Sequence, residues 1–295
     1  MSSVLLGGLS AGMSIYLVLG GTGKTGRRVL DQLVAAGHTG RSASRSPGPA
    51  SPSIEPIHFD WADPASYGPA VDGVDGVYVV PPALQLEHAT QLAALGTVAA
   101  EHGVRRAVLL SARGVDRAPA SGMFRSEQAL AETGLPTSVV RPAWFAQNFT
   151  EAFFAPSIRG DGVVVAPTGD GANPFIDAQD IAEVTLALLT GAAPVGAYDL
   201  SGPRALSFAE AAAVLTPYAG REVRHVDLPT SDWTAGAVTN GLPADYAGML
   251  GSLFELIRAG HDAGLSDGVQ RALGRPPTSF ELWAEREAGT LGSAT

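Results

Sequence analysis

Three glycines, Gly20, Gly23 and Gly26, recur at every third position directly after the apolar run Ile15–Leu19. Behind them the stretch 27–36 carries Val29, Leu30, Leu33 and Val34 at helical spacing. An apolar strand, a glycine turn and an amphipathic helix in that order can bind a pyrophosphate. Glycine lets the backbone turn tightly and come close to the anion, and the first helical turn offers N–H groups with no intrahelical partner. Thr22, Lys24 and Thr25 complete the turn. Lys24 is the only lysine in 295 residues, so any mechanism that needs a lysine uses this one or none. Two readings of it stay open, a phosphate contact and a solvated side chain.

The residues after the second strand bear on the choice of nucleotide. An acidic residue there holds a ribose 2′-hydroxyl, whereas an arginine accepts a 2′-phosphate. Between Gln32 and Ile54 the chain has no Asp or Glu, and it reads Gly40-Arg41-Ser42-Ala43-Ser44-Arg45-Ser46. A guanidinium fork matches phosphate oxygens. Arg45, with Ser44 or Ser46, is therefore the expected clamp, and NADP(H) the expected cofactor. Asp60 and Trp61 close the third strand in Phe59-Asp60-Trp61, within reach of an adenine. A turn aspartate before Pro64 is the competing reading. Pro81 and Pro82 end the fourth strand and are expected to border the cofactor.

These groups need a scaffold, and the hydrophobic pattern supplies one. Strands are predicted at 15–19, 39–44, 54–59, 76–80, 106–110 and 137–140, with helices at 27–36, 86–101 and 124–132 between them. Such alternation implies an α/β fold, a Rossmann-type doubly wound parallel sheet with helices on both faces and ligands at the carboxyl ends of its strands. After about Arg141 the rhythm changes. A helix at 181–189 and a strand at 197–200 follow, Ser207 and Glu210 fit a capping box before a helix at 208–218, and Thr278-Ser279-Phe280-Glu281 fits another before a closing helix. The region 228–267 resists assignment. The division that results is an N-terminal extension at 1–13 and a nucleotide-binding domain at 14–150, with 175–200 returning to it. A smaller α/β substrate lobe takes 151–174 and 201–295.

Composition sets outer bounds. Hydrophobic residues make up 45%, enough for a large core, and the net charge of −10 argues against a nucleic-acid surface. Cysteine is absent, which removes disulfides and thiolate metal sites, and no residue spacing suggests a metal. The N-terminal apolar stretch lacks a basic segment before it, Met13 fits a natural start, and no apolar run reaches membrane-spanning length. A cytoplasmic protein acting on a small molecule is expected, as a monomer or a homodimer. His225 and His261 have no ligand-like neighbours.

The chain resembles the NmrA-like group of atypical short-chain dehydrogenases. The resemblance rests on the glycine loop, on Ser44-Arg45-Ser46, on Phe59-Asp60-Trp61 and on Arg125-Ser126-Glu127-Gln128-Ala129-Leu130. It also rests on Ser138-Val139-Val140-Arg141-Pro142-Ala143-Trp144-Phe145-Ala146-Gln147-Asn148-Phe149 and on Pro174-Phe175-Ile176-Asp177-Ala178-Gln179-Asp180-Ile181-Ala182. Within that group it is most similar to quinone reductases, triphenylmethane reductase and the ergot-alkaloid iminium reductase. The resemblance implies an NADP-binding domain, a small C-terminal lobe and a substrate cleft between them. It makes Ser111, at the end of the fifth strand, the match of the family's catalytic serine, with a small residue beside the nicotinamide as the other reading. The Tyr-x-x-x-Lys pair of typical members falls at Pro119 and Met123, so both groups are missing.

Hydride addition to a ketone makes an alkoxide that needs a proton donor. Addition to an iminium, a quinone or another conjugated acceptor places charge where none is needed or where it is easily protonated. The missing pair therefore points to an electron-poor, largely apolar acceptor. The residues expected nearest it are Pro142, Trp144, Phe145, Gln147 and Asn148, with Trp233, Tyr246, Met249 and Phe254 as candidate pocket walls. Packing between lobes is the other reading of Trp144, and helix capping the other reading of Gln147 and Asn148. An NADP(H)-binding redox sensor and a non-redox cyclase or isomerase are the alternatives to a reductase.

Overall fold

The computed structural model describes residues 14–151 and 153–292. The expected extension at 1–13 lies outside the described residues. Seven parallel strands form the central sheet: β1 (Ile15–Leu19), β2 (Thr39–Ser44), β3 (Ile54–His58), β4 (Gly76–Val79), β5 (Arg106–Leu110), β6 (Thr137–Pro142) and, later in the chain, β9 (Ala197–Leu200). Their order is β3-β2-β1-β4-β5-β6-β9. The order reverses beside β1, which leaves a crevice at the carboxyl ends of β1 and β4. Between β6 and β9 the chain forms two short strands, β7 (Val163–Val165) and β8 (Ala172–Asn173). They pair with β11 (Arg224–Val226) and β10 (Leu206–Ser207), outside the main sheet.

Helices α1 (Lys24–Ala35), α2 (Tyr67–Val71), α3 (Ala89–Glu101) and α4 (Gly122–Ala131) alternate with the first strands. Then come α5 (Ala155–Asp161), α6 (Ala178–Thr190), α7 (Phe208–Ala219), α8 (Thr230–Thr239), α9 (Ala244–Arg258), α10 (Gly268–Leu273) and α11 (Phe280–Glu287). Alternating side chains of each strand point to opposite faces. Tyr16, Val18, Tyr78, Val108 and Val140 thus pack under α1 and α6, while Leu17, Leu19, Val77, Val79 and Leu109 pack under α2, α3 and α4. A third core, built on Phe149, Phe154, Phe175, Phe208, Phe254 and Trp283, belongs to the C-terminal part.

Several elements depart from expectation for local reasons. α1 begins at Lys24 rather than Arg27, because the polar residues of the glycine turn already adopt helical geometry. Ser121 caps α4 by accepting from the Phe124 N–H, so that helix starts at Gly122. The box at Ser207 forms with both reciprocal bonds. The one expected from Thr278 to Glu281 does not. Ser279 is the cap, accepting from Leu282 N, and Thr278 instead donates from its N–H and hydroxyl to the buried Asp180. The unassigned region contains α8 and α9, each entered through a proline with no side-chain cap.

Candidate functional site

β1 ends at Leu19 and Gly20 takes φ +65°, a left-handed conformation that suits glycine. Gly23 N donates back to Gly20 O at 2.8 Å, closing the turn. A Cβ on Gly26 would lie 2.1 Å from Gly20 O, and one on Gly21 would lie 2.3 Å from Ser42 Oγ. The turn is therefore packed against β2 and against its own helix. Gly23 caps α1 with no side-chain hydrogen bond, so the N–H groups of its first turn stay available to an anion. A cleft of about 280 Å³ runs from Gly21 and Thr22 past Ser42 to Gly48, Pro49 and Pro56. Its glycine rim and free N–H groups fit a pyrophosphate. A larger cleft of about 570 Å³ lies against β9, lined by Asp199, Ser266 and Arg271, away from the glycine turn.

Around that turn the expected cofactor residues separate into free and committed groups. Arg45 and Ser46 are exposed just past β2. Arg41 is committed: it donates to Glu55 and to the carbonyls of Ala70 and Asp72. Asp60 is partly buried, and its Oδ1 accepts from Ala62 N at 3.0 Å in a local turn. Trp61 stands edge-on to Phe59, with ring centroids 5.1 Å apart. Pro81 and Pro82 are partly buried past β4, next to Val80, which packs over Gly20. Thr22 is exposed and Thr25 buried.

Lys24 is partly buried at the start of α1. Its Nζ donates to Asn148 Oδ1 at 2.6 Å, joining the glycine turn to the segment after β6. Burial pushes its ammonium below the ordinary value of 10.5. Glu151 opposes that shift, and Arg27 and Arg28 add to it.

At the carboxyl ends of β5 and β6 the side chains form two clusters. Ser111 Oγ donates to Glu127 Oε1 at 2.5 Å. Arg141 grips the same carboxylate with two bonds, Nε to Oε1 at 3.0 Å and Nη2 to Oε2 at 2.6 Å. Glu127 and Arg141 carry no role in the sequence reading. Their signal lay in the helix and strand motifs, but only the fold aligns them. Pro142 is buried at the end of β6, where its O accepts from Arg113 N at 3.2 Å, and Phe145 is partly buried, its backbone bridged to Ile176. Pro119 is exposed and Met123 partly buried.

The second cluster is aromatic. Trp144 lies 4.7 Å from Phe254 and 5.9 Å from Phe153 between ring centroids, and Trp233 stacks on Phe153 at 6.4 Å. Trp144 and Trp233 remain partly open, whereas Phe254 is fully buried and backs both. Phe153, which no motif singles out, is 42% exposed at φ +52°. Tyr246 and Met249 are partly buried on α9.

Gln147 needs a correction. It is 0% exposed, and its bonding capacity is spent within the protein. Its Nε2 donates to Asp177 Oδ1 at 2.8 Å and Glu287 Oε2 at 3.1 Å, and its Oε1 accepts from Ala178 N at 2.8 Å. It caps α6 and has nothing left for a substrate. His225 likewise serves structure, bonding to Ala166 O at 2.7 Å. Among the described residues no helix is long and apolar enough to cross a membrane, and no group of His, Asp and Glu could hold a metal.

Comparison with known proteins gives this geometry a lineage. Residues 20–192 match the family model described as NAD(P)H-binding. The chain is 32% identical over 291 residues to the NAD(P)H azoreductase of Xenophilus azovorans, covering 95% of this chain and 100% of that one. It is 34% identical over 275 residues to the agroclavine dehydrogenase of Claviceps fusiformis, covering 90% and 94%. The fold matches an NADPH-dependent quinone oxidoreductase of Escherichia coli, complexed with NADPH, at a TM-score of 0.78 and 24% identity over 92% of this chain and 99% of that one. The chain belongs to the NAD(P)H-binding family and is an oxidoreductase.

Proposed function

We propose that the protein is an NADPH-dependent reductase that passes hydride to a small, largely apolar, electron-poor acceptor such as an iminium, a quinone or a conjugated system. Secondary metabolism or detoxification is its setting. The observation that carries the reading is the open aromatic face of Trp144, Phe153 and Trp233 past β6, on a chain with Pro119 and Met123 where a proton-donor pair would stand. Flat aromatic surface takes up flat apolar acceptors, and no protein group is needed to protonate an alkoxide. The related azoreductase is named for an azo acceptor, and the other relative for the dehydrogenation of agroclavine. Bound NADPH supplies the hydride, and the protein orients the acceptor and excludes water. Residues 151–174 and 201–295 supply most of the third core, which Ala146, Phe149 and Phe175 complete, and serve as the substrate lobe.

The nucleotide preference rests on Arg45, exposed in a stretch without acidic residues. A charge-assisted bond to phosphate is worth about 1.5–3 kcal/mol. Arg45→Ala is therefore expected to weaken NADPH binding about 10–100-fold and NADH binding little, by fluorescence titration of both. Equal losses for the two nucleotides would remove the clamp. Oxidation of NADPH against a panel of quinones, cyclic iminiums, azo and triarylmethane dyes tests the activity itself. Binding without turnover on any member would favour a sensor, and turnover without NADPH consumption an isomerase or cyclase.

A further inference from the structure

Ser111 is the residue of the site whose hydrogen is already taken. The oxygen it faces, Glu127 Oε1, also receives Arg141 Nε, and the other oxygen receives Arg141 Nη2. A carboxylate so gripped by a guanidinium has only acceptors to offer. The one proton between Ser111 Oγ and Glu127 is then the serine's own, and it points inward. The backbone holds this direction, because Ser111 N donates to Val140 O at 2.8 Å and Arg141 follows on the same strand. Ser111 is buried at the end of β5, and a group that reaches its Oγ meets oxygen lone pairs and no donor hydrogen.

We infer that Ser111, held as a hydrogen-bond acceptor by the buried Glu127–Arg141 pair, selects acceptors whose reacting end carries an N–H donor, protonated cyclic imines in particular, over acceptors whose reacting end is a carbonyl oxygen. This deepens the reductase reading and rests on it. A serine that donates would steady the oxygen of a ketone. One that only accepts leaves that oxygen without a partner and meets an iminium N–H⁺ instead. In the reduction, hydride forms the new C–H bond and the C=N π pair goes to nitrogen. The nitrogen keeps its proton and becomes a neutral amine. No proton is drawn from the protein, which agrees with Pro119 and Met123 at the donor positions.

The probes are 3,4-dihydroisoquinolinium, which carries the N–H, and menadione, which carries only carbonyls. A hydrogen bond to a charged group is worth about 1.5–3 kcal/mol. Ser111→Ala is expected to lower the ratio of kcat/KM for the iminium to that for menadione about tenfold or more. It should also weaken binding of the iminium in calorimetry with NADP⁺ present, where no chemistry occurs. Glu127→Gln places an amide that can donate to Ser111 Oγ and free the hydroxyl hydrogen, so it should move the ratio the same way. Ser111→Ala, a small cut that keeps the Glu127–Arg141 pair, carries the test if that variant folds poorly. An unchanged or increased ratio in Ser111→Ala overturns the inference and leaves the reductase intact. Loss of iminium binding in Ser111→Ala, with no NADPH oxidation by the wild type on any acceptor, overturns the reductase and keeps the serine's polarity.

Discussion

Gly26→Ala removes nucleotide binding from an otherwise folded protein. The added methyl would stand 2.1 Å from Gly20 O, 2.8 Å from Gly20 C and 2.9 Å from Gly21 Cα, all backbone atoms of the turn itself. No side chain can swing aside, so the turn must move by roughly an ångström or the helix must retreat, at about 1–3 kcal/mol of stability. Either shift carries the first-turn N–H groups away from a bound phosphate. Losing two such bonds costs about 3–6 kcal/mol, or roughly 10²–10⁴-fold in Kd. The measurement is fluorescence titration with NADPH, beside circular dichroism to establish the fold. Gly236→Ala is the control. That glycine lies inside α8 with nothing within 4 Å of its added Cβ, so the change should favour the helix and leave nucleotide affinity alone. A Gly26→Ala protein that binds NADPH with wild-type affinity would show that the turn is not the phosphate site.

What the sequence made legible was local. β1, β5 and β9 run where alternating or continuous apolar runs placed them, β2 runs where it was expected without such a run, and the Ser207–Glu210 box closes within one helical turn. The glycine turn, and the uncommitted arginine after β2, were likewise readable from spacing and from the lack of nearby acid. The rest depended on distance along the chain. Gln147 reaches Ala178 N and Glu287, and Thr278 abandons its expected box for Asp180, because burial offers each a stronger partner far away in sequence. Lys24 meets Asn148 only once β1 and β6 share a sheet. α8 and α9 stayed hidden for a compositional reason. Their glycines at 236, 248 and 251 dilute the apolar stripe, and their entry prolines carry no capping side chain to announce a start. The aromatic face joins Trp144 and Phe153 from the segment after β6 with Trp233 on α8, and only packing makes them one surface.

Arg28→Met should lower thermal stability by about 5–10 °C and loosen the nucleotide turn with it. Arg28 sits one turn into α1, with its side chain 11% exposed. Its Nη1 donates to Lys24 O at 2.9 Å, and its Nη2 donates to Glu151 Oε1 at 2.7 Å and Glu287 Oε2 at 2.8 Å. One guanidinium thereby joins the cofactor helix, the segment after β6 and the closing helix α11. Glu287 also accepts from Gln147, from Trp283 Nε1 at 3.2 Å and from Arg286, which continues to Asp177. Removing one partner of a buried pair costs about 3–5 kcal/mol. Both carboxylates keep a second cation and are about a fifth exposed, so about 2–3 kcal/mol is expected, at roughly 2–4 °C of Tm per kcal/mol for a chain of this size. Lysine cannot make the fork, so Arg28→Lys should recover only part of the loss. Arg28→Met with Glu287→Gln should cost less than the two singles summed, because they break one shared bond. Acid gives an independent readout. Burial raises the carboxyls of Glu151 and Glu287, but bonds and charges from Arg27, Arg28 and Arg286 outweigh it, leaving both below the ordinary 4.5. A depressed carboxyl pKa stabilises the fold fully above the ordinary value and loses that contribution as pH falls through the lowered one. The Tm gap between wild type and Arg28→Met should therefore be widest near neutral pH and shrink as the solution is taken below about pH 4.5. A gap that stays constant across that range would mean that Arg28 acts through packing alone.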